Sequence, residues 1–158
     1  MKNIVRVLVL LLVFTSCKNT SKNTVEITVE NLSYTKDSIS QPAFNETQII
    51  VQKILDLPEL QWVYHQELKE RLPVKVLESK LIDKRLILHK FGQTVSILSM
   101  SELEKEGIKD YVVFNKIEIG KDITYFALNY KIEGAGCSGK LIKENGEWSF
   151  SNYSVWER

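Results

Sequence analysis

The pattern of apolar and polar positions divides the chain into segments of different period. Ile4 to Phe14 is apolar throughout except for Arg6, a run shorter than the ~20 residues a spanning helix needs. Residues 18–43 are dominated by Lys, Asn, Thr and Ser, as expected of a solvated tether, although Val25, Ile27 and Val29 alternate as in a short edge strand. Asn45 and Gln48 form a capping box ahead of Ile49, Ile50, Ile54 and Leu57, which repeat at helical spacing. Pro58 suits the first turn of a second helix. There Leu60, Val63, Tyr64 and Leu68 form an apolar stripe opposite Glu67, Lys69, Glu70 and Arg71, and Pro73 ends it.

Beyond Pro73 the period falls to two. Val74–Leu77, Arg85–His89 and Thr94–Leu98 read as strands, with Gly92 breaking between the last two. Ser101 to Gly107 reads as a short helix capped by Ser101 and Glu104, with Gly107 at C′. Four further strands follow: Tyr111–Ile119, Ile123–Ile132, Ser138–Lys143 and Glu147–Trp156. The second places Phe126, Leu128, Tyr130 and Ile132 on one face, and Asn145-Gly146 predicts a type I′ hairpin between the last two. The expected fold class is α+β, with N-terminal helices packed on a curved, mainly antiparallel sheet that ends in a four-stranded meander.

The N-terminal run acquires meaning from its flanks. Lys2 and Arg6 precede it, and small polar residues and a cysteine follow it, the layout of a secretory signal. Phe14-Thr15-Ser16-Cys17 resembles a bacterial lipobox, with Phe14 where most carry Leu. The resemblance implies cleavage before Cys17 and its acylation on sulfur and amine. Several acyl chains give a stable anchor, because each buried CH₂ contributes ~0.8 kcal/mol. The implied organisation is a signal peptide over 1–16, a lipidated Cys17 with a polar tether over 17–43, and one domain over 44–158. Lys18 after Cys17 favours retention in the outer membrane under the usual sorting rule, and the lack of an acidic run after Cys17 favours a domain facing the periplasm. Asp37-Ser38-Ile39 resembles a short O-glycosylation motif of exported bacterial proteins.

Composition narrows the function classes. Cleavage of the 158-residue chain before Cys17 leaves 142 residues, enough for one domain and a tether. The formal net charge of +1 becomes about −1 once Lys2 and Arg6 are removed, so no basic excess points to nucleic acid. There are two cysteines. If Cys17 carries lipid, Cys137 has no partner and the domain stands on its core alone.

The candidate chemistry is sparse. Gly134 to Gly139 matches G-x-G-x-x-G, but a strand and an Asn-Gly hairpin follow where dinucleotide binding needs a helix. Glycines that relieve a wide or bulged hairpin are the simpler expectation. Cys137 needs a base to act as a nucleophile, and only His65 and His89 are available. Two histidines and one cysteine lack the paired spacing of a zinc site. Glu102, Glu104 and Glu106 read as a solvated helix face. No metal or cofactor is expected. Ser138-Gly139 resembles the Ser-Gly loop of periplasmic lysozyme inhibitors, though Lys140-Leu141 follow where those carry an aromatic.

The domain order resembles the nuclear transport factor 2-like fold, a helix-backed cone of sheet, with Lys143 to Phe150 like its last hairpin; a cystatin-like sheet fits nearly as well. Neither implies an activity. The function expected is a non-enzymatic, membrane-anchored module that binds a small apolar ligand or a protein partner. An envelope inhibitor or immunity lipoprotein, or a Cys137-dependent enzyme, is the alternative. The aromatics of the last strands pack in a core or line a binding surface, for which Phe126, Leu128, Tyr130, Trp148 and Phe150 are the candidates.

Overall fold

The structure, a computed structural model, describes residues 41–157, with side chains from Phe44 onward. The lipobox at Cys17, the alternation at Val25–Val29 and the Asp37–Ile39 motif lie outside the described residues.

The fold is mixed α+β. Helix α1 spans Gln41–Leu55 and α2 spans Met100–Glu106. Strands β1 (Lys75–Leu77), β4 (Ser96–Leu98), β5 (Val112–Ile119), β6 (Ile123–Tyr130), β7 (Ala135–Glu144) and β8 (Glu147–Glu157) form a six-stranded sheet in the order β4-β1-β5-β6-β7-β8. The sheet is antiparallel except where β1 runs parallel to both β4 and β5. A two-stranded ribbon, β2 (His89–Lys90) with β3 (Gln93–Thr94), lies outside it. The expected four-stranded meander is β5 to β8. Its last turn has φ of 52° at Asn145 and 84° at Gly146, as a type I′ turn requires.

Several elements differ from the periodicity reading. Helix α1 already includes Gln41, ahead of the expected cap. Gln48 Oε1 instead accepts the Ile87 N–H at 3.0 Å, and Glu46 accepts from Lys143 and Trp148. The second helix is two 3₁₀ turns, Pro58–Tyr64 and Lys69–Arg71, separated by His65 in the left-handed region at φ 46°. Leu60 and Val63 still point inward, because residues three apart eclipse in a 3₁₀ turn. Arg85 to Leu88 is not strand. Leu86 and Leu88 are buried and Ile87 is exposed, so the alternation is real, but the backbone runs beside α1. Gln48 and Gln52 accept the N–H groups of Ile87 and His89 where a neighbouring strand would otherwise do so.

Helix α2 is capped two residues earlier than expected. Ser99 and Glu102 form the capping box, although Ser101 and Glu104 match the same spacing. Glu102 thereby accepts from Ser99 and from Lys84 at the surface, and Glu104 and Glu106 are exposed, as expected of a solvated helix face. Gly107 occupies C′ at φ 67°, as expected. Ile132 is 46% exposed because β6 ends at Tyr130 and a 3₁₀ turn, Lys131–Glu133, comes next.

The core is one cluster. Ile50, Val51, Ile54 and Leu55 of α1 share it with Val112, Phe114, Phe126, Leu128, Cys137, Leu141 and Trp148 of the meander. Two bulges set which meander residues enter it. Asn115 is unpaired between Phe114 and Lys116, so Val112 and Phe114 but then Ile117 and Ile119 take the inner face. Ser151 is unpaired between Phe150 and Asn152, which inverts the faces of the rest of β8.

The glycine segment closes the β6–β7 hairpin and enters its second strand: Gly134 ends the connecting 3₁₀ turn at φ 64°, and Gly136 and Gly139 sit inside β7, on opposite faces. A Cβ at Gly139 would lie 2.5 Å from the Asn152 carbonyl oxygen and 2.7 Å from the Tyr153 Cα, backbone atoms that cannot step aside. Gly139→Ala is therefore expected to lower stability by ~1–3 kcal/mol through overpacking. Gly107→Ala, at a positive φ in open space, is expected to cost only ~1 kcal/mol. Urea unfolding of both variants checks the order, and a Gly139→Ala protein as stable as the parent would disprove the close approach.

Candidate functional site

The inner face of the meander is filled. Phe126, Leu128, Tyr130 and Trp148, four of the five residues expected to line a ligand or partner surface, are each less than 5% exposed and belong to the core. The fifth, Phe150, is half-buried, with its ring 5.9 Å from Phe126 and 5.3 Å from Tyr153. Phe126 and Tyr153 both stand opposite Gly139, and Phe150 packs against both. Tyr153 in turn donates its hydroxyl to Glu59 at 2.8 Å, tying β8 to the first 3₁₀ turn. Trp148 donates its indole N–H to Glu46 at 3.0 Å, which closes the α1 end of the core. The expected lining residues therefore hold the domain together from its inner face.

The outer face of the same strands is open, and two grooves lie on it. One, of about 450 Å³, is lined by Lys116, Tyr125, Ala127, Ser138, Lys140 and Asn152 together with the backbone of Phe126 and Gly139. Lys116 lies 5.3 Å above the Tyr125 ring. The other, of about 400 Å³, is lined by Asn129, Lys131, Gly134, Ala135 and Trp156. Register explains both. Asn129, Gly136 and Trp156 form one row across β6, β7 and β8; Ala127, Ser138 and Ser154 the next; Tyr125, Lys140 and Asn152 the third. The middle row is small, so it forms a trough between two rows that each carry an aromatic. Sequence periodicity misses this face. Counted back from the Asn-Gly turn in unbroken register, Trp156 has the parity of Trp148 and belongs inside. The Ser151 bulge brings it out.

A polar network lies on the segments that flank the end of β6. His65 Nδ1 is 2.8 Å from Glu67 and its Nε2 is 3.1 Å from Glu133. Glu133 also accepts from Arg71. Asp110 accepts from the Tyr130 hydroxyl and pairs with Lys75 at 3.4 Å. The hydrogen bond to Glu67, and then that to Glu133, raises the His65 pKa above its ordinary value. The Arg71 bond holds Glu133 below the carboxylate range. Burial, and then the Asp110 carboxylate, raises the Tyr130 phenol. Each acid in this set is matched by a cation or a hydroxyl, as in an ion-pair network that joins residues 65–75 to residues 110 and 130–133.

Cys137 is fully buried, and its thiol is pushed up to about 12, chiefly by burial and then by the Glu59 charge. Such a thiol is a poor nucleophile. Both ring nitrogens of His65 are engaged by carboxylates, and His89 is an exposed residue of β2. The structure does not assemble the Cys–His pair that the sequence left open. Gly134 to Gly139 lead into β7 with no helix after them, so no helix N-terminus is present for a pyrophosphate. Ser138-Gly139 lies within β7 and is no loop. Among the described residues no group of three or more His, Cys, Asp or Glu side chains is arranged to hold a metal ion, and no helix is long and apolar enough to cross a membrane.

The chain matches no known family, and neither its sequence nor its structure finds a counterpart among curated proteins or solved structures.

Two measurements probe the burial of Cys137 and the charge of His65. Iodoacetamide at pH 8 is expected to leave Cys137 unmodified in the folded protein and to alkylate it in urea; rapid modification without denaturant would contradict the burial. His65 donates to both carboxylates only as the imidazolium. Its folded pKa is raised, so its contribution to stability is fully present below the ordinary value of 6.5 and is lost as pH rises through the folded value. The stability difference between the parent and His65→Gln, followed by urea midpoints, should be largest in mild acid and fade in mild alkali. A difference that does not change with pH would show that the two carboxylate bonds do not depend on charge.

Proposed function

We propose that the protein is a lipid-anchored envelope lipoprotein whose domain is a non-catalytic binding module, working through the outer face of the β5–β8 meander. The lipobox-like Phe14–Cys17 supports the anchor. The adjacent Lys18 supports outer-membrane retention, with the domain facing the periplasm. The α1-plus-meander arrangement is consistent with a nuclear transport factor 2-like or cystatin-like sheet, the plan inferred from the order of elements.

One observation carries the binding reading: the two grooves lie on one sheet face, and one of them takes in a trough of small side chains. The inner face has its apolar side chains spent in the core, so a small apolar ligand held inside the sheet is the less favoured occupant. A partner laid across the outer face meets Tyr125, Lys140, Asn152 and Trp156 with no rearrangement of the core. The buried Cys137 supports a non-catalytic domain.

Two arms test the proposal. Cys17→Ala is expected to abolish palmitate incorporation and release the protein from the membrane fraction; normal labelling of that variant overturns the lipobox assignment. A photo-crosslinking residue at Tyr125 or Asn152 in the full-length protein is expected to give a discrete adduct in the envelope, whereas one at Glu104 on α2 gives none. Absence of any adduct from the outer-face positions counts against the binding face.

A further inference from the structure

The geometry points to the Asn129–Lys131–Trp156 pocket as a binding site for an acidic saccharide, a sugar ring that carries a carboxylate. This assignment rests on the outer face being the binding face, and it names the ligand class.

The indole has a seat of its own. A Cβ at Gly136 would lie 2.5 Å from the Trp156 Cζ2, 2.6 Å from its Cε2 and 2.7 Å from the Asn129 Oδ1. The ring therefore lies across β7 at a position with no side chain, and the Asn129 carboxamide reaches the same point from β6. Trp156 stays partly exposed there, although β7 covers one side of it. An aromatic face carries negative quadrupolar charge, which attracts the polarised C–H groups on the flat side of a sugar ring. Asn129 supplies an acceptor and two donors beside that platform, the complement of ring hydroxyls that both donate and accept.

Lys131 is the one charged residue that lines the pocket, and Glu157 stands beside it opposite Ala135. Lys131 lines it and forms no ion pair among the described residues, where every salt bridge involves other groups. The nearest acid in sequence, Glu133, is already held by Arg71 and His65. Lys131 is thus free for a ligand carboxylate, a charge-assisted contact stronger than one between neutral groups. The volume of about 400 Å³ falls in the ~300–1,000 Å³ range of small-molecule clefts. A purely apolar ligand would leave Asn129 and Lys131 unmatched, and a simple carboxylate would leave the indole face unused.

The test is isothermal titration calorimetry of the full-length protein in detergent micelles with glucuronate, glucose and benzoate. Glucuronate is expected to bind saturably, with glucose about tenfold weaker for want of the Lys131 contact. Lys131→Gln should remove that preference and leave glucose affinity unchanged. Trp156→Ala should abolish binding of both sugars, and Trp156→Phe should retain part of it. Asn129→Ala, which leaves the platform in place, serves as a second variant if Trp156→Ala fails to fold, and it should weaken both sugars. No saturable heat with either sugar, tighter binding of benzoate than of glucuronate, or undiminished binding by a folded Trp156→Ala or Asn129→Ala protein each overturns the assignment. The outer-face crosslink is a separate readout: an adduct at Asn152 with no sugar binding rejects the saccharide and keeps the binding face.

Discussion

The C-terminal half of the domain depends on the absence of side chains at two positions of β7. Gly136 and Gly139 point to opposite faces of the sheet, and β8 crowds both. On the inner side the backbone of Asn152 and Tyr153 comes in where a Cβ would stand. Tyr153 then reaches Glu59, and Phe150 packs between Tyr153 and Phe126. On the outer side the space at Gly136 receives the Trp156 ring. The two absences have different consequences. At Gly139 the neighbour is backbone, so an added methyl group must move a strand. At Gly136 the neighbours are the ends of side chains, so an added methyl group displaces the platform and spares the sheet. Fold and proposed binding surface are built on the same strand by the same device, and separate residues serve each.

The bulges at Asn115 and Ser151 extend that logic. Each adds one residue on an outer strand of the meander, and each inverts the faces of the residues beyond it on that strand. Without the first, Ile117 and Ile119 would face solvent. Without the second, Trp156 would turn inward and Tyr153 outward, losing the Glu59 bond. The inner face is finished by Trp148, Phe150 and Tyr153 of β8, and the outer face gains Trp156, the remaining aromatic of that strand. This division explains why the residues with the strongest hydrophobic signal are packing residues.

Much of the fold was legible from period and turn chemistry. The four meander strands, the Asn145-Gly146 turn and Gly107 as a helix end all come from local rules that tertiary packing leaves intact. The illegible parts share one cause: competing partners for the same group. Gln48, read as half of a capping box, accepts the N–H of Ile87. Arg85–Leu88 keeps strand alternation but finds glutamine side chains of α1 as its partners. Ser99 and Ser101 both precede a glutamate at the correct interval, and local sequence does not choose between them. The candidate site was least legible of all, since Asn129 and Lys131 carry no motif and Trp156 reaches their face only through a bulge that no residue type announces.

The single free thiol also bears on where binding can occur. Cys137 is the one cysteine among the described residues, so no disulfide within them holds an open interior apart, and their packing rests on burial of Ile50, Ile54, Leu128, Cys137 and Trp148 in one cluster. Emptying part of that cluster to admit a ligand would forfeit both transfer energy and packing, ~2–5 kcal/mol for a single large side chain. A domain of this size has total stability of only ~5–15 kcal/mol. A small core without crosslinks is therefore kept filled, and the proposed recognition falls to a surface that the core does not need. The outer face of the meander meets that condition, because Tyr125, Lys140, Asn152 and Trp156 stand on strands already secured from the other side.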